Sequence, residues 1–273
     1  MSERPSFANP PVTEVAISVD FEQIGGWSVP YFGLFWSKIR DEFPKCQTVP
    51  PADPSVEDFA SAPPAPPQSL RFHLESDPEA VRCWFLTADE TELLQIQRNR
   101  FIQNWRRQRG DEVYPRYELH LRPAFQRRFS SFFDFVEQQP ELEWPRVLQV
   151  EVFYINEIEP GVGWASAGDL HRVFSPWRGE FTEGFLPQPY GARMAASFAI
   201  PDRRGRLHVN VQRMIRPRDE KEVIQFRLLA RVQPLAQDAA AILEATDLAR
   251  DWIVRGFADW TTHHMHKIWG RER

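Results

Sequence analysis

The chain has very little cysteine, which excludes the folds that depend on cross-links. Its 273 residues include only Cys46 and Cys83, too few for a disulfide framework. No CxxC pair or Cys/His zinc spacing occurs, so we predict no metal site and no cofactor. Low cysteine usage is typical of reducing compartments, and we expect a cytoplasmic protein.

Long hydrophobic runs and an excess of positive charge are also missing. No run approaches the roughly 18 apolar residues of a membrane helix, and residues 1–11 lack the apolar core of a signal peptide. We therefore predict no membrane association. The net charge of −5 argues against a dedicated duplex nucleic-acid binder, although it leaves room for a local basic patch.

Apolar and aromatic residues are abundant. Hydrophobic residues make up 42% of the chain, with 21 Phe and 10 Trp. This composition is globular and supplies enough apolar area for one large core or two modest ones.

The first half reads as a strand, a helix, a group of strands and a second helix. Residues 12–21 alternate apolar and polar side chains, which predicts a half-buried strand. A Gly-Gly break and a proline then favour a helix over residues 31–43. Residues 49–67 are rich in Pro and Ala and predict an irregular connection. The remaining predicted elements are strands at 70–75, 82–87, 92–98 and 100–107 and a long helix at 116–139.

The pattern then restarts. The second set of predicted elements comprises a strand at 147–159, a short helix at 169–174, strands at 193–200, 206–214 and 223–232, and a final helix at 237–269. Weak sequence echoes accompany the repeated order: LQIQ at 94–97 matches LHVN at 207–210, and FIQ at 101–103 matches VIQ at 223–225.

The repeated order predicts an α+β fold made of two tandem β-α-β-meander-α halves. We expect a largely antiparallel curved sheet with the long helices packed on one face. The halves are residues 1–140 and 145–273, packed as one pseudo-two-fold unit. This topology resembles the TATA-binding-protein-like and helix-grip folds, a resemblance that carries no function.

Strand alternation predicts which side chains point away from the helices, and amides dominate this set. The predicted outward residues are Gln95, Gln97, Gln103, Trp105, His208, Asn210, Gln212, Gln225 and Arg227. Amides donate and accept hydrogen bonds, and a tryptophan offers a stacking surface. The face is therefore a candidate binding surface, and the alternative is an ordinary solvated sheet face.

A second candidate is an Arg-rich segment that contains a tryptophan. Its residues are Arg98, Arg100, Trp105, Arg106 and Arg107. Stacking combined with phosphate pairing is how proteins hold single-stranded nucleic acid. The alternative is a solvated strand whose arginines pair with the many acidic residues.

Motifs that would define an enzyme do not occur. The sequence has no GxSxG, HExxH or GxGxxG pattern, and we predict no catalytic residues. His263 and His266 share a helix face, but no Cys or carboxylate within the motif completes a metal site. Catalytic groups brought together from distant positions stay open as an alternative.

Several segments resemble a sporadically distributed bacterial family of about this length that has no established activity. They are PPVTEV at 10–15, FGLFWSKIRDEFP at 32–44, QRNRFIQNWR at 97–106, YPRY at 114–117 and HKIW at 266–269. The resemblance implies no catalytic residues. Its patchy distribution implies mobile genes, such as defence or toxin–antitoxin modules.

Our leading hypothesis is a non-enzymatic binding protein that recognises a protein partner or a small polar ligand, in a bacterial defence or toxin–antitoxin module. The first alternative is single-stranded nucleic-acid binding through the Arg/Trp strand, and the second is an enzyme. The sequence leaves the oligomeric state open.

Overall fold

The structure is a computed structural model that describes residues 3–52, 56–61, 81–178, 185–187, 189 and 191–273. Within these ranges it is an α+β protein with one open sheet and five α-helices. The nine strands are ordered β2-β3-β4-β5-β1-β6-β9-β8-β7, and every neighbouring pair is antiparallel. The strands are β1 (Val12–Phe21), β2 (Lys45–Val49), β3 (Arg82–Leu86), β4 (Glu92–Gln97), β5 (Arg100–Arg106), β6 (Val147–Ile158), β7 (Arg193–Ile200), β8 (Gly205–Ile215) and β9 (Glu222–Val232).

The helices begin and end at residues with recognisable local signals. They are α1 (Val29–Ile39), α2 (Arg122–Glu137), α3 (Leu170–Val173), α4 (Ala239–Trp260) and α5 (His263–Ile268). Pro30 stands in the first turn of α1, where no backbone hydrogen bond is lost, and Pro123 stands in the first turn of α2, directly after a helical turn at residues 117–121. The Asp238 side chain caps α4 by accepting a hydrogen bond from the Ala241 N–H. No helix of the described residues is long and apolar enough to cross a membrane.

Alternation sorts the side chains of the sheet into two faces. Phe101 of β5 contacts the α2 residues Phe125 and Phe129, and Phe226 of β9 stacks on Phe257 of α4. We call the face that carries Phe101 and Phe226 the inner face and the opposite one the outer face. The inner-face residues of the central strands are almost entirely buried, including Ile17, Val19, Val150 and Val152.

Most predicted strands are confirmed to within two residues, because alternation is visible in the sequence. β2 was not predicted, since its five residues carry no apolar face and four of them are exposed. The predicted strand at 70–75 lies outside the described residues.

The prediction of one final helix over residues 237–269 is wrong. The chain leaves the helical conformation at Thr261, which is extended and forms an isolated β-bridge with Phe174. Thr262 then caps α5 by accepting from the Met265 N–H. The break is therefore held by a contact with a distant segment, which helical periodicity does not reveal.

The long helix predicted over residues 116–139 begins later than expected. Arg116 has a φ of 62°, and Tyr117–Leu121 form a π-helical turn before α2 starts. The carbonyl of Leu121 accepts a hydrogen bond from the Gln103 amide of β5. This side-chain contact satisfies a backbone group at the turn.

Candidate functional site

The outer face carries a dense set of polar side chains that are mostly buried or half-buried. Register places the side chains of one cross-strand row in the order Trp84, Gln95, Ile102, Ser18, Glu151, Arg231 and Arg206. Several of these groups are less than 10% exposed, including Ser18, Gln95 and Arg206. Buried polar groups need partners, so the hydrogen bonds of this face define what it can do.

Seven of the nine residues predicted to point outward do lie on the outer face, and two do not. Gln103 and Trp105 share the inner face with Phe101, because the three alternate along β5. Gln103 donates to the Leu121 carbonyl at 3.1 Å, and the Trp105 ring packs edge-on against Tyr114. The prediction for these two residues is therefore wrong. It followed the match between FIQ at 101–103 and VIQ at 223–225, whereas the structure places Gln103 and Gln225 on opposite faces of the sheet.

An alternating network of charges crosses the centre of the outer face. Arg100 lies 2.6 Å from the fully buried carboxylate of Asp20, and 2.8 Å from Glu151. Arg231 donates to Glu151 at 2.7 Å and to Glu57 at 2.6 Å. Burial raises the pKa of Asp20, although the charge of Arg100 and the Gln149 amide oppose this. Arg100, which was predicted to bind a ligand, thus pairs with acids of its own chain.

The network ends at Glu57, whose carboxylate is surrounded by Arg206, His208 and Arg231. We call these three side chains the cradle. The Glu57 carboxylate accepts from Arg206 at 2.5 Å and from Arg231, and it lies 2.6 Å from Nε2 of His208. Burial alone would raise the pKa of Glu57, but the hydrogen bonds from His208, Arg231 and Arg206 lower it to about 2. The cradle is therefore an anion site that a carboxylate of the same chain fills.

Residues 56–61 are fastened to the outer face on both sides of that carboxylate. The Glu57 N–H donates to the Gln149 side chain at 3.1 Å, and Arg206 donates to the Ser61 carbonyl at 2.6 Å. The segment thereby covers part of β6, β9 and β8. His208, another predicted binding residue, lies beneath it.

The amides of β4 are likewise engaged within the chain. Gln95 accepts from Arg82 and Trp84 and donates to Asn104 at 2.7 Å. Gln97 forms a pair of hydrogen bonds with the backbone of Ala52, at 3.1 and 2.8 Å. The structure places both residues on the outer face as predicted but uses them to hold neighbouring strands and the connection after β2.

Four predicted residues on β8 and β9 form a contiguous group, which we call the amide patch. Asn210 lies opposite Arg227, and Gln212 lies opposite Gln225. Gln225 is 5% exposed, and neither its Oε1 nor the Nε of Arg227 has a hydrogen-bond partner within the described part of the chain. Burial lowers the pKa of Arg227, although the charge of Glu14 acts the other way.

The fold places the residues of the Arg-rich segment in different surroundings, so they do not form one surface. Arg98 lies in the turn between β4 and β5, Arg100 belongs to the charge network and Trp105 is on the inner face. Arg106 instead lies 5.8 Å from the ring of Trp84, which Arg82 flanks at 5.6 Å. Trp84 thus takes the stacking position that was predicted for Trp105.

Ser197, His208 and Glu57 form a short hydrogen-bonded chain at the edge of the sheet. Ser197 Oγ lies 2.8 Å from Nδ1 of His208, whose Nε2 contacts Glu57. These are the residue types of a hydrolase triad, but the strongly acidic Glu57 is shared with two arginines, so it is mainly an ion-pair partner. Among the described residues, no group of three or more His, Cys, Asp or Glu side chains could hold a metal.

Sequence reasoning missed the residues that hold the outer face together, principally Asp20, Glu57, Trp84, Asn104, Glu151, Arg206 and Arg231. Strict alternation along β6 and β9 carries a signal for Glu151 and Arg231. No such signal marks Glu57, because it lies in a Pro- and Ala-rich connection between distant strands.

Comparison with known proteins found no family model, no curated protein and no solved structure that matches the chain. The resemblance to a bacterial family stays a prediction. Function has to be inferred from the side chains described above.

Proposed function

We propose that this is a non-enzymatic binding protein that recognises a protein partner or a small polar ligand through the amide patch. The observation that supports this most directly is the pair of buried, unpartnered groups on Gln225 and Arg227. Leaving such a group without a partner costs about 1–3 kcal/mol. A ligand that satisfies both atoms recovers this free energy on binding.

The chemistry of the patch defines the ligand. Gln225 offers an acceptor, Arg227 offers a charged donor, and Asn210 and Gln212 offer both kinds of group. A ligand that presents donors and acceptors in one plane fits this set, as the edge of a peptide backbone or a small polar molecule does. The cradle around Glu57 does not compete for this role, because its carboxylate is already bound.

The test compares capture by the wild-type chain with capture by a triple variant, Asn210→Ala/Gln212→Ala/Arg227→Ala. Each protein is immobilised, exposed to a bacterial extract, and analysed by quantitative mass spectrometry of bound proteins and metabolites. We expect at least one species to be retained by the wild type and to be lost from the variant, with an unchanged melting temperature.

The matched control for this experiment is Gln126→Ala/Arg127→Ala on the exposed side of α2, which should retain every species. Equal capture by the wild type and the triple variant would contradict the proposal, as would equal loss in both variants.

A second candidate function, single-stranded nucleic-acid binding, draws support from Trp84. Its ring lies on the outer face at 5.6 Å from Arg82 and 5.8 Å from Arg106, which places two cations next to an aromatic side chain. Filter binding of a labelled oligonucleotide across a salt series tests it, because affinity must fall steeply with salt. Absence of binding at low salt, or unchanged affinity in Trp84→Ala, would remove this candidate.

We further propose that the chain arose by tandem duplication, with residues 1–140 and 145–273 as the two halves. The strand order supports this: leaving out β2, the order β3-β4-β5-β1 on one side of the centre mirrors β7-β8-β9-β6 on the other. Contacts of α2 with β5 and of α4 with β9 fit helices packed on one shared face. A rotation of two-fold character that superposes the two sets of four strands would be the expected geometry.

A further inference from the structure

On the inner side of the sheet, away from the outer face, lies a cavity of about 580 Å³. Its floor is formed by β1, β6 and β9, with Val12, Tyr154 and Leu228 among the lining residues, and α4 forms one wall. The N-terminal segment forms another wall through Pro5 and Phe7, and it is held in place because Ala8 and Asn9 donate backbone hydrogen bonds to the chain after α5. The volume is in the usual range for a small-molecule site.

The cavity is cationic. Four arginines and a single acid, Glu118, are among its lining residues, which gives the lining a net charge of +3. Three of these arginines already have hydrogen-bond acceptors in the chain: Arg4 donates to Asp251, Arg116 to the Phe7 carbonyl and Arg273 to Glu3. The fourth, Arg250, is the arginine of this lining that keeps buried donor atoms without a hydrogen-bond partner among the described residues.

The Arg250 side chain is 11% exposed, and its one ion pair among the described residues is a 3.4 Å contact with the half-exposed Glu118. Its Nε and Nη1 atoms have no hydrogen-bond partner within the described residues. Its guanidinium also forms a hydrogen bond with the Tyr154 hydroxyl and lies 5.4 Å from the Tyr117 ring. Burying a guanidinium with two unpaired donor atoms is unfavourable in free energy unless an anion accepts hydrogen bonds from them.

The neighbouring polar groups add an acceptor and a further donor. Asn156 is 1% exposed and donates to the Phe226 carbonyl, but its Oδ1 has no partner among the described residues. The hydroxyls of Tyr114 and Tyr154 lie 2.9 Å apart, so one donates to the other and the second proton stays available. Burial raises the pKa of both phenols, which keeps them neutral donors.

We infer that this cavity binds a small carboxylate that carries an apolar body and an N–H donor, the chemistry of an N-acylated apolar amino acid. The carboxylate pairs with Arg250 in place of Glu118, and the N–H donates to Asn156 Oδ1. The apolar body packs on Leu228, Ile253 and Phe257, which line the same cavity. This site is independent of the amide patch, since it lies on the opposite face of the sheet.

The experiment uses the full chain and a panel of matched ligand pairs in isothermal titration calorimetry. The acids are N-acetyl-L-tryptophan, N-acetyl-L-phenylalanine and N-acetyl-L-leucine, and each is compared with its uncharged primary amide. We expect at least one acid to bind at least about tenfold more tightly than its amide, because a charge-assisted hydrogen bond is lost in the amide. Absence of binding by all three acids at millimolar concentration, or equal affinity of acids and amides, would overturn the inference.

Two variants test whether the acid binds in this cavity. Arg250→Met should weaken the acid by about tenfold or more and leave the amide unchanged. Leu119→Glu places a negative charge at the cavity from an 81% exposed position, so it should weaken the acid at low salt without disturbing the fold.

The control is Leu235→Glu, which makes the same change at a 73% exposed leucine that is not among the cavity residues, and its affinity should match the wild type. Wild-type affinity in a folded Arg250→Met protein would refute the assignment. If Arg250→Met does not fold, equal affinity of the two leucine variants would refute it.

Discussion

Replacing Glu57 by glutamine tests whether the charge network fastens residues 56–61 to the sheet. Glutamine keeps the shape of the side chain but removes the negative charge that Arg206, His208 and Arg231 surround. The Glu57 side chain is 8% exposed, so solvent screens these pairs weakly. The substitution leaves the cations of the cradle partly uncompensated.

The magnitude follows from the pKa of Glu57. It lies at about 2 in the folded chain, against 4.5 for the free side chain. This difference corresponds to about 3 kcal/mol of stability at neutral pH. Because the folded pKa is the lower one, this contribution is present above about pH 4.5 and is lost as the pH falls towards 2.

Urea unfolding of the wild type and Glu57→Gln at a series of pH values between 7 and 2.5 measures the effect. We expect the free energy of unfolding to differ by about 3 kcal/mol at pH 7, with the difference shrinking below pH 4.5. The control is Glu22→Gln, which breaks an exposed pair with Arg146 and should cost less than about 1 kcal/mol. A loss for Glu57→Gln no larger than the control, or one that does not change with pH, would refute the reasoning.

Three further predictions concern the sheet. Gly205→Ala should lower the free energy of unfolding by about 2 kcal/mol or more, because the new Cβ would lie 2.1 Å from the Arg231 carbonyl oxygen; wild-type stability would show that the strands part easily. Trp105→Ala should lower the free energy of unfolding by about 3–5 kcal/mol, and Trp84→Ala should lower it far less, because of the two only Trp105 is in the hydrophobic core. Similar losses for both variants in urea unfolding would contradict the strand register. Residues 1–139 expressed alone should aggregate or lack cooperative melting, because β1 loses its partner β6 and exposes a long edge; a monomeric, cooperatively melting fragment would show an independent domain.

The outer-face network also explains why the abundance of amides did not by itself identify which residues are available to a ligand. The amides and arginines of this face were predicted to bind a ligand. Gln95, Gln97 and Arg100 instead form hydrogen bonds or ion pairs with neighbouring strands or with the connection after β2. Among the predicted residues of this face, Gln225 and Arg227 of the amide patch keep buried atoms without a hydrogen-bond partner in the described part of the chain, and so does Nε of Arg106. Polar character alone does not separate structural groups from ligand-binding ones, because both are hydrogen-bonding side chains on the same face.

Local pattern was sufficient for the elements whose determinants are neighbours in sequence. Apolar and polar residues alternate in the sequences of β1, β6, β8 and β9, and this pattern predicts a strand because successive side chains point to opposite faces. The same holds for the start of α1, where Pro30 occupies the first turn, but not for α2, which was predicted to begin at residue 116 and begins at Arg122. For these elements the amino-acid sequence alone determined strand, helix and, for most residues, the face on which each side chain lies.

Tertiary structure decided everything that depends on partners far away in the chain. The extended break at Thr261 forms where that residue pairs with Phe174, and Gln103 lies on the inner face, where its amide donates to the Leu121 carbonyl. Glu57 becomes part of the outer face only because β6, β9 and β8 bring Gln149, Arg206 and Arg231 together beneath it. Each outcome is set by the free energy of satisfying a buried polar group, and that cost is fixed by the folded surroundings rather than by neighbouring residues.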